Sequence, residues 1–189
     1  MRPVTVIKIA ISSLIVISVL AIKPVLASAN NPKQAKANNK PDATFYLVRH
    51  AEKAKDHHND PNLTTQGQAR AEWLASCLAD KSIRAIYSTQ YRRTKQTGQP
   101  LADKLSLKII PYDAKEQKAF AKAIKKQPKN SLIVGHSNTL TPLINYLTGQ
   151  KLPDIDYGDY NKLFKIEWFD SKPKVTTLTM NLGKACPTL

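Results

Sequence analysis

Thr44-Phe45-Tyr46-Leu47-Val48-Arg49-His50-Ala51-Glu52 is the stretch on which the reading of this chain turns. Its first five residues are β-branched, aromatic or aliphatic, as a buried strand requires, and the run ends abruptly in three polar or charged residues among the last four. Ser131-Leu132-Ile133-Val134-Gly135-His136-Ser137-Asn138 repeats the plan: it is apolar at every residue between Ser131 and Gly135, as a strand buried on both faces would be, and then turns polar.

The segments between these two alternate in period. Thr65 to Asp80 has helical spacing, with Trp73, Leu74, Cys77 and Leu78 on one face and Thr65 and Gln68 in the positions of a capping box. A strand follows at Ile83 to Ser88, a helix from about Arg92 to Lys104, a strand at Leu107 to Tyr112 and a helix over Lys115 to Gln127. After Gly135 the pattern predicts a helix from about Thr141 to Leu147, with Pro142 at its first position, and then two β-like runs at Leu163 to Phe169 and Val175 to Asn181. The expected architecture is α/β: a doubly wound, mostly parallel sheet with helices on both faces and an antiparallel edge. No internal repeat interrupts it.

Upstream, Arg2 and Lys8 precede an apolar run from Ile9 to Ile22, and Ala27-Ser28-Ala29 offers a small-residue cleavage site, the pattern of a signal peptide over residues 1–29. The rival reading is an uncleaved anchor, but the run is shorter than the ~20 residues that cross a bilayer and Lys23-Pro24 ends it. Residues 30–42, rich in Asn, Lys, Pro and Ala without periodicity, read as a flexible linker, leaving residues 43–189 as one domain. A periplasmic or secreted location is the expectation, with no stable membrane insertion after cleavage.

Of 29 basic residues, Arg2, Lys8 and Lys23 fall in the leader, so the remainder still far exceeds the 14 acidic ones. Such a field favours anionic partners: a phosphorylated small molecule, an envelope sugar or lipid, or a protein. No nucleic-acid-binding motif is present, and export would remove that partner. Cys77 and Cys186 have no metal-ligand spacing. In an oxidising compartment they could form one disulfide, or Cys77 could simply be a small core residue on an apolar helical face.

In an open α/β sheet, ligands gather at the carboxyl ends of strands beside the amino ends of the following helices. Three such ends carry chemistry: Arg49-His50-Ala51-Glu52, Ser88 with Arg92 and Arg93, and Gly135-His136-Ser137-Asn138. Arginines and helix starts together suit a phosphoryl group, whose equatorial oxygens need positioning and opposite charge. A neutral imidazole can attack phosphorus and hold it covalently, and neighbouring arginines lower its pKa and keep it neutral. Taken singly, His50 or His136 could be a hydrogen-bonded structural residue, and Arg92 or Arg93 part of a solvated helix face. Asp56, His57, His58 and Asp60 form a polar cluster without recognised ligand spacing and read as a solvated loop, so no metal and no cofactor are expected.

The sequence resembles the histidine phosphatase superfamily, the phosphoglycerate mutase-like enzymes. Arg49-His50-Ala51-Glu52 is similar to its Arg-His-x-Glu signature, Leu63-Thr64-Thr65-Gln66-Gly67 to the turn opening its first helix, Ser88 through Arg93-Thr94-Lys95-Gln96-Thr97 to its second arginine motif, and Gly135-His136-Ser137-Asn138-Thr139 to its second histidine motif. The resemblance covers about residues 43–169. It implies a phosphatase acting through a phosphohistidine on His50, with Arg49 and Arg93 gripping the phosphoryl oxygens and His136 donating to the transferring group. Compared with many members of that family, the stretch between Ser88 and Arg93 has one extra residue, and Arg93 is preferred to Arg92 because the Thr-x-Gln-Thr run follows it directly.

No acidic residue directly follows His136, so Glu52 is the first candidate for general acid, with Asp113 and Glu116 behind it. Glu52 could equally be a helix-start or lysine partner. No long insertion is present to build a lid, which suits a bulky substrate. A mutase must retain its product and fits a lidless site poorly. A phosphohistidine protein phosphatase fits the small size, but its partners would be cytoplasmic, against the expected export. A non-catalytic binder of anionic envelope components would rely on charge alone, and would not need Arg49, His50, Arg93 and His136 together.

Overall fold

The computed structural model describes residues 40–55 and 59–189. The expected signal peptide, most of the expected linker, and Asp56, His57 and His58 lie outside the described residues.

Ten elements alternate along the chain: β1 (Ala43–Arg49), α1 (Thr65–Leu78), β2 (Ala85–Ser88), α2 (Arg92–Leu105), β3 (Ile109–Pro111), α3 (Gln117–Lys126), β4 (Ser131–Gly135), α4 (Ser137–Thr148), β5 (Lys162–Phe169) and β6 (Lys172–Thr179). The strands form one sheet in the order β3-β2-β4-β1-β5-β6, parallel through β1 and antiparallel at β5 and β6. Because every residue of β1 and β4 is buried, both faces of the central strands are apolar. Phe45 and Leu47 pack with Ile124, Leu140, Leu143 and Ile144 under α3 and α4, whereas Tyr46 and Val48 pack with Leu74, Leu78 and Leu101 under α1 and α2. This is the doubly wound, mostly parallel arrangement with an antiparallel edge that the alternation predicts.

The winding places the site. α1 leaves β1 on one face and α4 leaves β4 on the other, and these two strands are neighbours, so their carboxyl ends flank a switch point. Register brings three strand ends level: Arg49 lies opposite Gly135, and Ser88 opposite Val134.

Several boundaries differ from the sequence reading. The cap of α1 is Thr64 and not Thr65: its extended backbone lets Oγ1 accept from the Gly67 N–H at 3.0 Å, and no Thr65–Gln68 capping box forms. Gly67 is required because a Cβ there would stand 2.2 Å from the Glu52 carbonyl oxygen. α4 begins at Ser137, four residues before the expected start, since His136 already serves as its cap and the His136 carbonyl accepts from Thr139 and Leu140. Pro142 is therefore interior to the helix and not at its first position, and it cannot donate to the Asn138 carbonyl. α3 starts at Gln117, later than Lys115, because Asp113 Oδ1 accepts from the Lys115 N–H and holds that segment in a turn. β6 starts at Lys172, earlier than Val175: Asp170 and Ser171 take φ of 47° and 64°, the two-residue turn that returns a strand at once.

Cys77 and Cys186 form a disulfide, settling the alternative in favour of the bond. It fastens the C-terminal segment to α1, where Trp73 Nε1 also donates to the Lys184 carbonyl at 2.8 Å.

Candidate active site

His50 stands one residue beyond β1, 4% exposed, its N–H donating to the Gly135 carbonyl at 2.9 Å. Its Nδ1 lies 2.8 Å from the Ala51 carbonyl, which can only accept, so Nδ1 carries the hydrogen and Nε2 keeps its lone pair. Burial pushes the His50 pKa down from 6.5 to about 3. The Ala51 hydrogen bond opposes that shift, and Arg49, His136 and Arg93 add to it. The imidazole is thus neutral at physiological pH with a fixed tautomer.

His136 caps α4 from the end of β4, its ring edge-on to that of His50 with centroids 5.5 Å apart. Burial first, then Arg93 and Arg49, lower its pKa to about 4. Its Nε2 is 2.9 Å from Thr89 Oγ1, and Thr89 Oγ1 is 2.8 Å from Thr94 Oγ1, which donates in turn to the Tyr91 carbonyl at 2.8 Å. Ser137 and Asn138, which open α4, line the same crevice, so the helix presents its first N–H groups there.

Arg49 is buried beside His50. Its Nη1 donates to the carbonyls of Asp156, Tyr157 and Asp159, and its guanidinium lies 4.2 Å from the Tyr160 ring centroid. Its Nε is buried with no partner among the described residues, as is that of Arg93. Arg93 sits at the start of α2, 4.3 Å over the Tyr91 ring and 3.6 Å from Asp60. Arg92 is exposed, and only its backbone N–H reaches Asp60. Among the two arginines, Arg93 alone lines the crevice, an opening of about 690 Å³ that it shares with Arg49, His50 and His136.

Glu52 is placed elsewhere. Its carboxylate takes two bonds from Arg70 Nε at 3.0 and 2.9 Å and one from Nη2 at 2.6 Å, while Arg70 Nη1 donates to the Met180 carbonyl. The Glu52 carbonyl also accepts from the Thr64 N–H at 2.9 Å. The residue ties the loop after β1 to α1 and the end of β6, and a carboxylate so committed does not reach the crevice, which corrects its candidacy as acid. Glu116 is exposed at the cap of α3 and also misses the crevice. Asp113 lines an adjoining pocket that shares Tyr91, Ala114 and Lys115 with the crevice wall. Among the described residues lining the crevice none is acidic, and Lys53 and Lys115 add to its cations.

The sequence reading misses Thr89, Tyr91 and Tyr160, and Asp60, read as part of a solvated loop, instead pairs with Arg93. Thr89 had a usable signal, lying next to Ser88 and four before Arg93; Ser88 Oγ instead donates to the Thr89 carbonyl. Tyr160 carried none, because it arrives from a loop more than a hundred residues away. Among the described residues no three His, Cys, Asp or Glu side chains gather as metal ligands would.

Residues 45–117 match the family model described as histidine phosphatase superfamily (branch 1). No curated relative matches the chain by sequence. Among solved structures, the protein histidine phosphatase SixA complexed with tungstate is similar at a TM-score of 0.60 and 16% identity over 72% of this chain and 96% of that one. YhfR of Bacillus stearothermophilus gives 0.59 and 17% over 74% and 98%, and a mycobacterial glucosyl-3-phosphoglycerate phosphatase 0.56 and 13% over 73% and 99%. At such identities the likeness shows a shared fold.

Proposed function

We propose that this chain, which carries a histidine phosphatase superfamily domain, hydrolyses a phosphomonoester through a phosphohistidine on His50. The observation that carries the reading is a neutral His50 imidazole, its Nδ1 hydrogen fixed on the Ala51 carbonyl, in one crevice with Arg49, Arg93 and His136.

His50 Nε2 donates its lone pair to phosphorus while the bond from phosphorus to the ester oxygen breaks. Arg49, Arg93 and the start of α4 meet the charge on the equatorial oxygens, and His136 turns its Nε2 hydrogen from Thr89 Oγ1 to one of them as the phosphoryl group arrives. The leaving oxygen takes a proton, and water then attacks the phosphohistidine, breaking the bond from phosphorus to Nε2 and releasing phosphate. Asp113 is the carboxylate best placed to protonate a leaving group that extends into its pocket. The leader-like N-terminus and the Cys77–Cys186 disulfide support export to an oxidising compartment.

Hydrolysis of phenyl phosphate tests the reading, with an acid-labile, base-stable phosphoenzyme trapped in the parent and not in His50→Ala. Parental turnover by His50→Ala overturns it. The lack of an acidic residue among the described lining favours, as a second reading, a substrate whose leaving group needs little protonation, such as the imidazole of a phosphohistidine protein. Asp113→Asn should then slow phenyl phosphate and a phosphohistidine peptide equally little, whereas a general acid at Asp113 would slow the ester selectively.

A further inference from the structure

We infer that the substrate carries a second anionic group, a further phosphate or its equivalent, held by Lys53 and Lys115 outside the grip of the histidines and arginines. The inference rests on the phosphatase reading and deepens it. A phosphomonoester brings at most about two negative charges. The crevice wall supplies four fixed cations, Arg49, Arg93, Lys53 and Lys115, with no acidic residue among its described lining. Asp60 offsets part of Arg93 at 3.6 Å and Asp113 takes the backbone N–H of Lys115, but neither lysine ammonium forms an ion pair among the described residues, so Lys53 and Lys115 are the cations left for a further anion. Like charges gathered in one opening repel each other, so their convergence is most stable when an anion of matching charge lies between them.

The lysines enter from different elements. Lys53 is held by its bridge to Leu63, with the Ala54 N–H donating to the Asn62 carbonyl at 2.9 Å, so its stem is anchored to a short paired ribbon. Lys115 is fixed by the turn on Asp113 that precedes α3, and Lys118 and Lys122 continue the basic, exposed side of that helix outward. At about 690 Å³ the crevice far exceeds a phosphoryl group, leaving room for a spacer and a second charge.

The probes are propylphosphonate and propylenebisphosphonate, which share a spacer and resist hydrolysis, titrated calorimetrically into the parent, Lys53→Gln, Lys115→Gln and the double variant. In low salt the bisphosphonate should bind the parent at least about tenfold tighter, beyond the twofold advantage of having two ends, and the gap should shrink as salt rises. The double variant should fall back to about twofold, with each single variant in between. A parental ratio near twofold, or a tenfold ratio retained in the double variant, overturns the inference. Phenyl phosphate turnover by the same preparation reads the catalytic proposal separately: a protein that fails to turn over but keeps the lysine-dependent ratio refutes catalysis and leaves the second anion site standing.

Discussion

Acidification should destabilise this protein through its two site histidines well before it silences them. His50 and His136 are 4% and 8% exposed, and their pKa values fall from 6.5 to about 3 and about 4. A depressed folded-state pKa contributes stability that is full above the unfolded value and drains away as pH falls toward the folded one, because the unfolded chain binds the proton first. Between pH 7 and about pH 5 each imidazole takes up a proton only in the unfolded chain, which costs about 2 kcal/mol per histidine and roughly 4 kcal/mol for the pair. The assay is urea unfolding of the oxidised protein at both pH values, compared with a His50→Gln/His136→Gln chain, in which that part of the slope should be missing. Once the ionisation of phenyl phosphate itself, at about pH 6, is divided out, the acid limb of kcat/KM in the parent should lie well below 6.5, since the nucleophile stays neutral until far more acidic conditions. An acid limb near 6.5, or identical pH slopes in parent and double variant, would refute the argument that burial and the arginines hold these rings neutral.

Arg93→Ala should lower kcat/KM by about two to three orders of magnitude, on the scale of ~3 to 4 kcal/mol for one lost charge-stabilising donor, while Arg92→Ala costs little; a larger loss for Arg92 reverses the assignment. Lysine should rescue Arg93 only in part, because a point charge does not reproduce a two-pronged grip. Glu52→Gln should lower stability by roughly 3 kcal/mol by stranding Arg70. Its kcat should change far less, read as a melting shift beside a near-parental turnover. Reducing Cys77–Cys186, which closes a sequence separation of 109, should cost about 4 kcal/mol in urea unfolding, with Cys77→Ser/Cys186→Ser matching the reduced parent.

Much of this was readable from residues because the central strands announce themselves twice over, by apolar runs and by the polar residues that end them. The order of elements and the convergence of Arg49, His50, Arg93 and His136 in one crevice follow from that pattern. Where pattern and structure differ, a local interaction outweighs propensity. Pro142 looked like a helix start, but the His136 cap begins α4 earlier, and the proline is absorbed in the second turn. Asp170 and Ser171 hid a tight turn because non-glycine residues seldom take positive φ. Glu52 sat two residues from the nucleophile in sequence, yet its partner Arg70 is eighteen residues on, and only the folded chain decides between an acid and a tether.

The full burial of β1 has a consequence for how the chain finds its alignment. In a strand with one wet face, a slip of one residue would drive polar groups inward and be punished at once. Here Phe45 and Leu47 on one side and Tyr46 and Val48 on the other are equally greasy, so hydrophobicity alone tolerates the shift. What distinguishes the alignments is a set of polar pins at the two ends: the Thr44 N–H on Asn130 Oδ1 at 2.9 Å, and beyond the other end the His50 N–H on the Gly135 carbonyl and the Ala51 N–H on Thr97 Oγ1, both at 2.9 Å. One step along the strand would carry the nucleophile about 3.3 Å from its neighbours and turn it to the opposite side. The bonds that set the tolerance of the machine are thus the same ones that aim it, and Asn130 and Thr97, neither of which lines the crevice, act as its gauge blocks.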